Sequence, residues 1–218
     1  PERTDEQCAS MIGLRLIEIP EALFPECTFD PEVYAQTYRR LFRIFNTDDA
    51  VNLYPNVMET LCELKKLGAT LTIASSRSRA SLMDYIRNLH LTDIISYVLG
   101  ADDVTEGKPY PEAVNRTLKE FGAKPEETIV VGDTVFDIQM GRNAGTRTCG
   151  VTYGNGSRES LGEADWIIDD FGRLLDYTWK LKRTLSDRIS TNEIDELYDS
   201  AKKAGALGGK ILGAGSGG

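Results

Sequence analysis

Histidine is nearly absent: His90 is the only one in 218 residues. That excludes chemistry that needs a His pair, or a zinc site with several His ligands. The four cysteines, Cys8, Cys27, Cys62 and Cys149, are scattered and form no Cys-x-x-Cys. A reducing compartment, and so a cytoplasmic location, is the expectation. No apolar run approaches the roughly 20 residues of a membrane helix, and no signal-peptide pattern opens the chain, so no membrane partner is expected. Positive charge is also scarce, with 25 Lys and Arg against 34 Asp and Glu, a net charge of −9. A nucleic-acid partner is excluded on that count, because phosphate neutralisation needs clustered Lys and Arg. An anionic small substrate is not, since it feels local rather than net charge. What remains is the composition of a soluble globular protein, 41% hydrophobic and 27% charged. Its length suffices for one large domain or two small ones.

The first fifty residues are helical and polar in texture. Asp30-Pro31-Glu32 reads as a helix start, with Val33, Tyr34, Tyr38, Leu41 and Phe42 following at helical spacing. From Leu53-Tyr54-Pro55 onward the pattern alternates. Helices are predicted at 57–67, 81–89, 111–121 and 138–144, and strands at 69–74, 95–99, 128–131, 148–152 and 166–168. Such alternation implies βαβ units and a mostly parallel sheet, in which ligands bind beyond the carboxyl ends of the strands. After Leu175 the alternation stops. Ser190-Thr-Asn-Glu193 forms a capping box ahead of a helical face of Ile194, Leu197, Tyr198, Ala201 and Ala204. Seven of the 20 glycines fall in 205–218, and both ends of the chain read as cut.

Three strand ends carry chemistry. Ser75 and Ser76 follow the first strand, where hydroxyls and free N–H groups hold phosphate oxygens, although taken alone a plain ST-turn or helix cap is the better reading. Lys108 stands between Gly107 and Pro109 in a stiff loop that can aim its ammonium at an anion. Asp133 lies at the tip of the strand 128–131, and Asp137 follows one helical turn later on the same face. Two carboxylates there suit Mg²⁺, which takes one or two of them together with waters and phosphate oxygens.

In that order the sequence resembles the haloacid dehalogenase-like superfamily, phosphoglycolate phosphatase-like group, over residues 1–175. Ile73-Ala-Ser75-Ser-Arg77 is similar to its second motif, Gly107-Lys108-Pro-Tyr-Pro-Glu112 to its third and Val131-Gly-Asp133-Thr-Val-Phe-Asp137 to its fourth. Leu53-Tyr54-Pro55 resembles the return from cap to core, and Gly150-Val-Thr-Tyr-Gly154 the strand and loop that follow. The resemblance implies an α/β fold: a Rossmann-like parallel sheet with helices on both faces and a partial helical cap. The cap would span 1–53 and the core 54–175. It also implies a Mg²⁺-dependent phosphatase that hydrolyses a small phosphorylated metabolite through an aspartyl-phosphate. Ser75, with Ser76 and Arg77, would bind the phosphoryl oxygens. Lys108 would offset their charge, Asp133 would ligate Mg²⁺, and Asp137 would support the metal directly or through water. Phosphoglycolate, small sugar phosphates and pyrophosphate are all compatible substrates, and the oligomeric state is open.

One part of that pattern is missing. The family's first motif is an Asp-x-Asp that supplies the nucleophile, and none occurs among the 218 residues. The implied expectation is that Pro1-Glu-Arg-Thr-Asp-Glu-Gln-Cys8 lies inside the cap, the nucleophile upstream of it, and that the chain as given does not turn over. Residues 176–218 resemble a different family. Lys180-Leu-Lys-Arg-Thr-Leu-Ser-Asp-Arg-Ile-Ser190, Ile194-Asp-Glu-Leu-Tyr198 and the Gly-rich end are similar to the C-terminal part of GHMP-type sugar kinases, of the heptose 7-phosphate kinase group. A Walker loop is excluded there: Ala204 stands at its first Gly, and Ile211 follows Lys210 where Ser or Thr is needed. A sugar kinase fragment and a non-catalytic module that binds a phosphorylated metabolite are therefore the alternatives.

Overall fold

The computed structural model describes residues 2–45 and 51–174, together with 196, 199, 200 and 203. The capping box at 190–193, its helical face and the Gly-rich end lie outside the described residues. The chain divides into two compact units, one of residues 1–53 with 70–167, the other of 54–69 with 168–218.

The first unit opens with three helices: α1 (Asp5–Ala9), α2 (Ile19–Leu23) and α3 (Pro31–Phe45). Thr4 and Gln7 cap α1 reciprocally. The start of α3 is the one the sequence predicts, with Asp30 Oδ1 accepting from the N–H groups of Glu32 at 2.9 Å and Val33 at 3.3 Å. Its apolar stripe does not close on a core, however. Ala35 is fully buried, whereas Val33, Tyr38 and Leu41 are exposed.

The rest of this unit is α/β. Strands β1 (Thr72–Ala74) and β2 (Tyr97–Leu99) pair in parallel, Thr72 opposite Tyr97 and Ala74 opposite Leu99. A second ladder has the order β3 (Ile129–Gly132), β4 (Arg147–Val151), β5 (Trp166–Ile168). There β3 and β4 are parallel, with Gly132 opposite Gly150. The two ladders are not joined by hydrogen bonds, so among the described residues β1 and β3 each end a ladder. Both are only half-buried, whereas four of the five residues of β4 are buried. Between strands run α5 (Arg79–Asn88), α6 (Glu112–Phe121) and α7 (Val135–Asn143). The core joins β2, α6 and α7 through Leu99, Ala113, Val114, Leu118 and Met140, and the half-buried Val130 of β3 packs against it. Helix α7 comes close to its sheet because residue 141 is Gly: a Cβ there would lie 2.7 Å from Thr148 Cγ2 and 2.9 Å from Val130 Cβ. Cys149, within β4, is fully buried, and burial pushes its thiol up to about 12, which makes it a packing group rather than a nucleophile.

In the second unit, α4 (Val57–Lys66) packs against the turn Phe171–Arg173. Asn56, in the left-handed region at φ 64°, precedes the helix and donates from Nδ2 to Asp170 Oδ2 at 2.8 Å. Asn tolerates that conformation better than a branched residue would.

Candidate active site

Every strand end singled out by the sequence belongs to the first unit. Ser75 leaves β1 with its N–H donating to Leu99 O at 3.0 Å, and its Oγ accepts from the N–H of Arg77 at 3.2 Å. The ST-turn is thus formed, and its geometry leaves the Ser75 hydroxyl proton to donate outward. Ser76 is committed elsewhere, its Oγ donating to the carbonyl of Gly13. The guanidinium carbon of Arg77 lies 5.1 Å from the ring centroids of both Phe42 and Tyr85, between two aromatic faces.

The loop after β2 is tied down residue by residue. Gly100 N–H donates to Asp103 Oδ2 at 2.8 Å. The N–H groups of Thr105 and Glu106 both donate to Glu112 Oε2, at 2.9 and 2.7 Å. Those hydrogen bonds hold the Glu112 carboxyl below its ordinary range. Lys108–Pro109 is a cis peptide, and Asn143 Nδ2 donates to Pro109 O at 3.0 Å. This anchored loop delivers Lys108, whose Nζ lies 2.6 Å from Asp137 Oδ1. The two side chains are 13% and 9% exposed, so the pair sits in a largely dry environment, where charge pairing is strong but desolvation is costly.

Asp137 has a second commitment. Its Oδ2 accepts from Thr134 N–H at 3.1 Å and Thr134 Oγ1 at 2.7 Å, one half of the capping box that starts α7. Asp133, at the tip of β3, is held by one oxygen only: Oδ2 accepts from Asn155 N–H at 2.9 Å and Asn155 Nδ2 at 2.7 Å. Oδ1 accepts no hydrogen bond among the described residues. Gly154 permits this approach, since a Cβ there would fall 2.3 Å from Asp133 Oδ2. An unshared, hard carboxylate oxygen at a strand tip fits Mg²⁺, which completes its shell with waters and substrate oxygens. Among the described residues no three His, Cys, Asp or Glu side chains cluster as a self-sufficient metal cage.

Ser75, Ser76 and Lys108 line one cavity, together with Arg15, Gly100, Glu106 and Tyr110. It is narrow, holding about 10 Å³, the room of a single water. Of the other expected site residues, Asp137 reaches it only through Lys108, and Arg77 and Asp133 stand outside its lining. Three participants escaped the sequence reading. Thr134 was detectable as the first residue of Thr-x-x-Asp. Asn155, between Gly154 and Gly156, and Arg15, in the N-terminal helical region, carry no local signal.

Comparison with known proteins identifies the family. Residues 1–151 match the family described as haloacid dehalogenase-like hydrolase, and residues 167–218 match GHMP kinases C terminal. The chain is 33% identical over 174 residues to pyrophosphatase PpaX of Anoxybacillus flavithermus, covering 79% of each. It is 33% identical over 168 residues to phosphoglycolate phosphatase of Vibrio vulnificus, covering 73% of this chain and 74% of that one. Its structure resembles a haloacid dehalogenase-like hydrolase from Bacteroides fragilis, with a TM-score of 0.72, 30% identity, and coverage of 79% of this chain and 83% of that chain. With the motif order, the parallel α/β fold and these matches in agreement, the chain belongs to the haloacid dehalogenase-like hydrolase family.

Proposed function

We propose that the chain carries the phosphate-binding and metal-binding machinery of a Mg²⁺-dependent phosphatase acting on a small phosphorylated metabolite, with the nucleophilic Asp of its aspartyl-phosphate intermediate not among these 218 residues. The observation that carries this reading is the Lys108–Asp137 pair beside Ser75, one charge in the loop that follows β2 and the other in the first turn of α7, which follows β3 in a different ladder. Ser75 donates its hydroxyl proton to a phosphoryl oxygen. Lys108 neutralises charge on that group, and Asp137 serves by fixing the ammonium between helix cap and loop. Asp133 would hold the metal, its Oδ2 being fixed by Asn155. When bound, Mg²⁺ supplies positive charge at the phosphoryl oxygens. Phosphoryl transfer asks little more of a protein than this positioning and charge stabilisation.

Sheet topology supports the placing of the nucleophile on another strand. Among the described residues both β1 and β3 have an unpaired edge and are half-buried, and the residues after them are Ser75 and Asp133. A parallel strand between them would bring its own carboxyl end between those two residues and complete one sheet. The test is hydrolysis of phosphoglycolate with Mg²⁺ by the 218-residue chain and by the same chain preceded by an apolar strand ending in Asp-x-Asp. The expected result is turnover only in the extended chain, abolished by Asp133→Ala. Turnover by the 218 residues alone that Asp133→Ala abolishes would overturn the nucleophile assignment. A second reading, a sugar kinase fragment, rests on the match of residues 167–218, and ATP binding dependent on 205–218 is the result it requires.

A further inference from the structure

Arg77 is attached at four points, none of them in the cavity that Ser75 and Lys108 line. Its N–H donates to Ser75 Oγ at 3.2 Å, and its carbonyl accepts from the N–H of Ala101 at 2.7 Å, in the loop after β2. Its guanidinium carbon stands 5.1 Å from the ring centroid of Phe42 on α3, and 5.1 Å from that of Tyr85 on α5. Tyr38 stacks in turn on Phe42, with centroids 5.9 Å apart and planes 20° apart. A guanidinium is planar and weakly hydrated, so it keeps aromatic faces on two sides better than an ammonium does. One residue therefore joins two helices through its side chain and two strand-end loops through its backbone.

Resting on the reading above for Ser75, we propose that Arg77 is a positioning residue: clamped between Phe42 and Tyr85, it holds the turn that aims the Ser75 hydroxyl and does not itself bind the phosphoryl group. This departs from the role that the family resemblance implies for Arg77. Three observations favour it. The Arg77 side chain is absent from the cavity lining, whereas Ser75 is part of it. Ser76, between the two, turns its hydroxyl to the carbonyl of Gly13, so the motif presents one hydroxyl and not a row of donors. The Arg77 N–H occupies a lone pair of Ser75 Oγ, which fixes the rotamer of that side chain and with it the direction left to the hydroxyl proton. Any shift of the Arg77 backbone is thus passed to the Ser75 hydroxyl, and the two rings limit such shifts. Helix α3 contributes nothing to the cavity lining, yet it acts on the site through Phe42.

The test uses the full 218-residue chain and inorganic phosphate with Mg²⁺, with affinity read by calorimetry and the Arg77 guanidinium followed by nitrogen-15 NMR. Arg77 is exposed, so each ring supplies one solvent-exposed cation–π contact. Phe42→Leu and Tyr85→Leu are each expected to weaken phosphate binding about two- to fivefold, the range of one such contact. Neither should change it in a Ser75→Ala background, because the effect runs through that hydroxyl. The two variants act from opposite faces of the guanidinium, so the test stands if urea denaturation shows one of them to be unfolded. The guanidinium signals, shifted by the two rings, should stay in place when phosphate saturates the chain. A phosphate ligand merely restrained by the rings gives the opposite sign: Phe42→Leu would free it and tighten binding, and its signals would move on saturation. Either result, or equal weakening by Phe42→Leu with and without Ser75, overturns the positioning role. Failure of phosphate to bind, or binding indifferent to Ser75→Ala, overturns the phosphate reading of Ser75 itself and the positioning role with it.

Discussion

Asp133 and Gly154 are bound into one arrangement by sterics: a methyl group on residue 154 would lie 2.3 Å from Asp133 Oδ2 and 2.4 Å from its Cβ. Gly154→Ala is therefore expected to push the Asp133 carboxylate off Asn155 and to cost about 1–3 kcal/mol by overpacking, read by urea denaturation. Its binding of Mn²⁺, followed by electron paramagnetic resonance, should fall in parallel; unchanged binding would separate Asp133 from the metal. The Lys108–Asp137 pair predicts a different pattern. Lys108→Met leaves a nearly buried carboxylate with only Thr134 as its donor, and should destabilise the fold by about 3 kcal/mol. The double variant Lys108→Met/Asp137→Asn should recover a large part of that loss, because the stranded charge is gone. A double variant no more stable than Lys108→Met alone would show that the pair carries no coupling.

At the scale of elements, the Asp165 side chain ties the residue before β5 to β4. Asp165 Oδ2 accepts from Thr148 N–H at 2.8 Å and Thr148 Oγ1 at 2.9 Å. Burial pushes the Asp165 carboxyl up, but the Thr148 hydrogen bonds and the Arg147 guanidinium outweigh it and hold the group below its ordinary range. A depressed carboxyl contributes stability that is present above the unfolded-state pKa, near 4, and lost as pH falls through the lower folded value. Urea midpoints taken from pH 7 down to pH 3 should thus fall more steeply for the wild type than for Asp165→Asn, with the difference arising below about pH 4. Parallel slopes would exclude the contribution. The order and type of these elements were legible in the sequence, because apolar runs and capping residues repeat at strand and helix spacing. Their starts were less so. Helix α7 begins at Val135 rather than 138, and the capping box of Thr134 and Asp137 sets that start. Asp137 reads as a metal ligand when only its charge and spacing are considered, and as a cap when Thr134 is weighed with it. The exposed stripe of Val33, Tyr38 and Leu41 on α3 was not legible at all, because periodicity locates an apolar face without saying what covers it.

For the molecule as a whole, the three motifs follow β1, β2 and β3 as the alternation in the sequence implies, whereas Arg15 and Asn155 carry no sign in it. Those two reach the site through tertiary approach: Arg15 contacts Thr105 O from 90 residues away and Asn155 contacts Asp133 from 22 away. Local pattern has no access to such distances. The same limit hid the division of the sheet into two ladders. Unpaired edges on half-buried strands are costly, because their N–H and C=O groups are satisfied only by water beside apolar surface, and they invite pairing with another chain. An apolar strand ending in Asp-x-Asp, joined ahead of residue 1, is therefore expected to stabilise the fold as well as to supply the nucleophile. A gain of about 2 kcal/mol corresponds to a rise in Tm of about 5 °C for a chain of this size. Amide hydrogen exchange should slow at both Thr72–Ala74 and Ile129–Gly132, the two edges such a strand would cover. Replacing the middle of that strand with Pro should abolish both effects, since Pro cannot donate to the ladder. Protection confined to one of the two edges, or a Tm raised equally by the Pro-containing extension, would mean that the added segment binds elsewhere and that the ladders are not the two halves of one interrupted sheet.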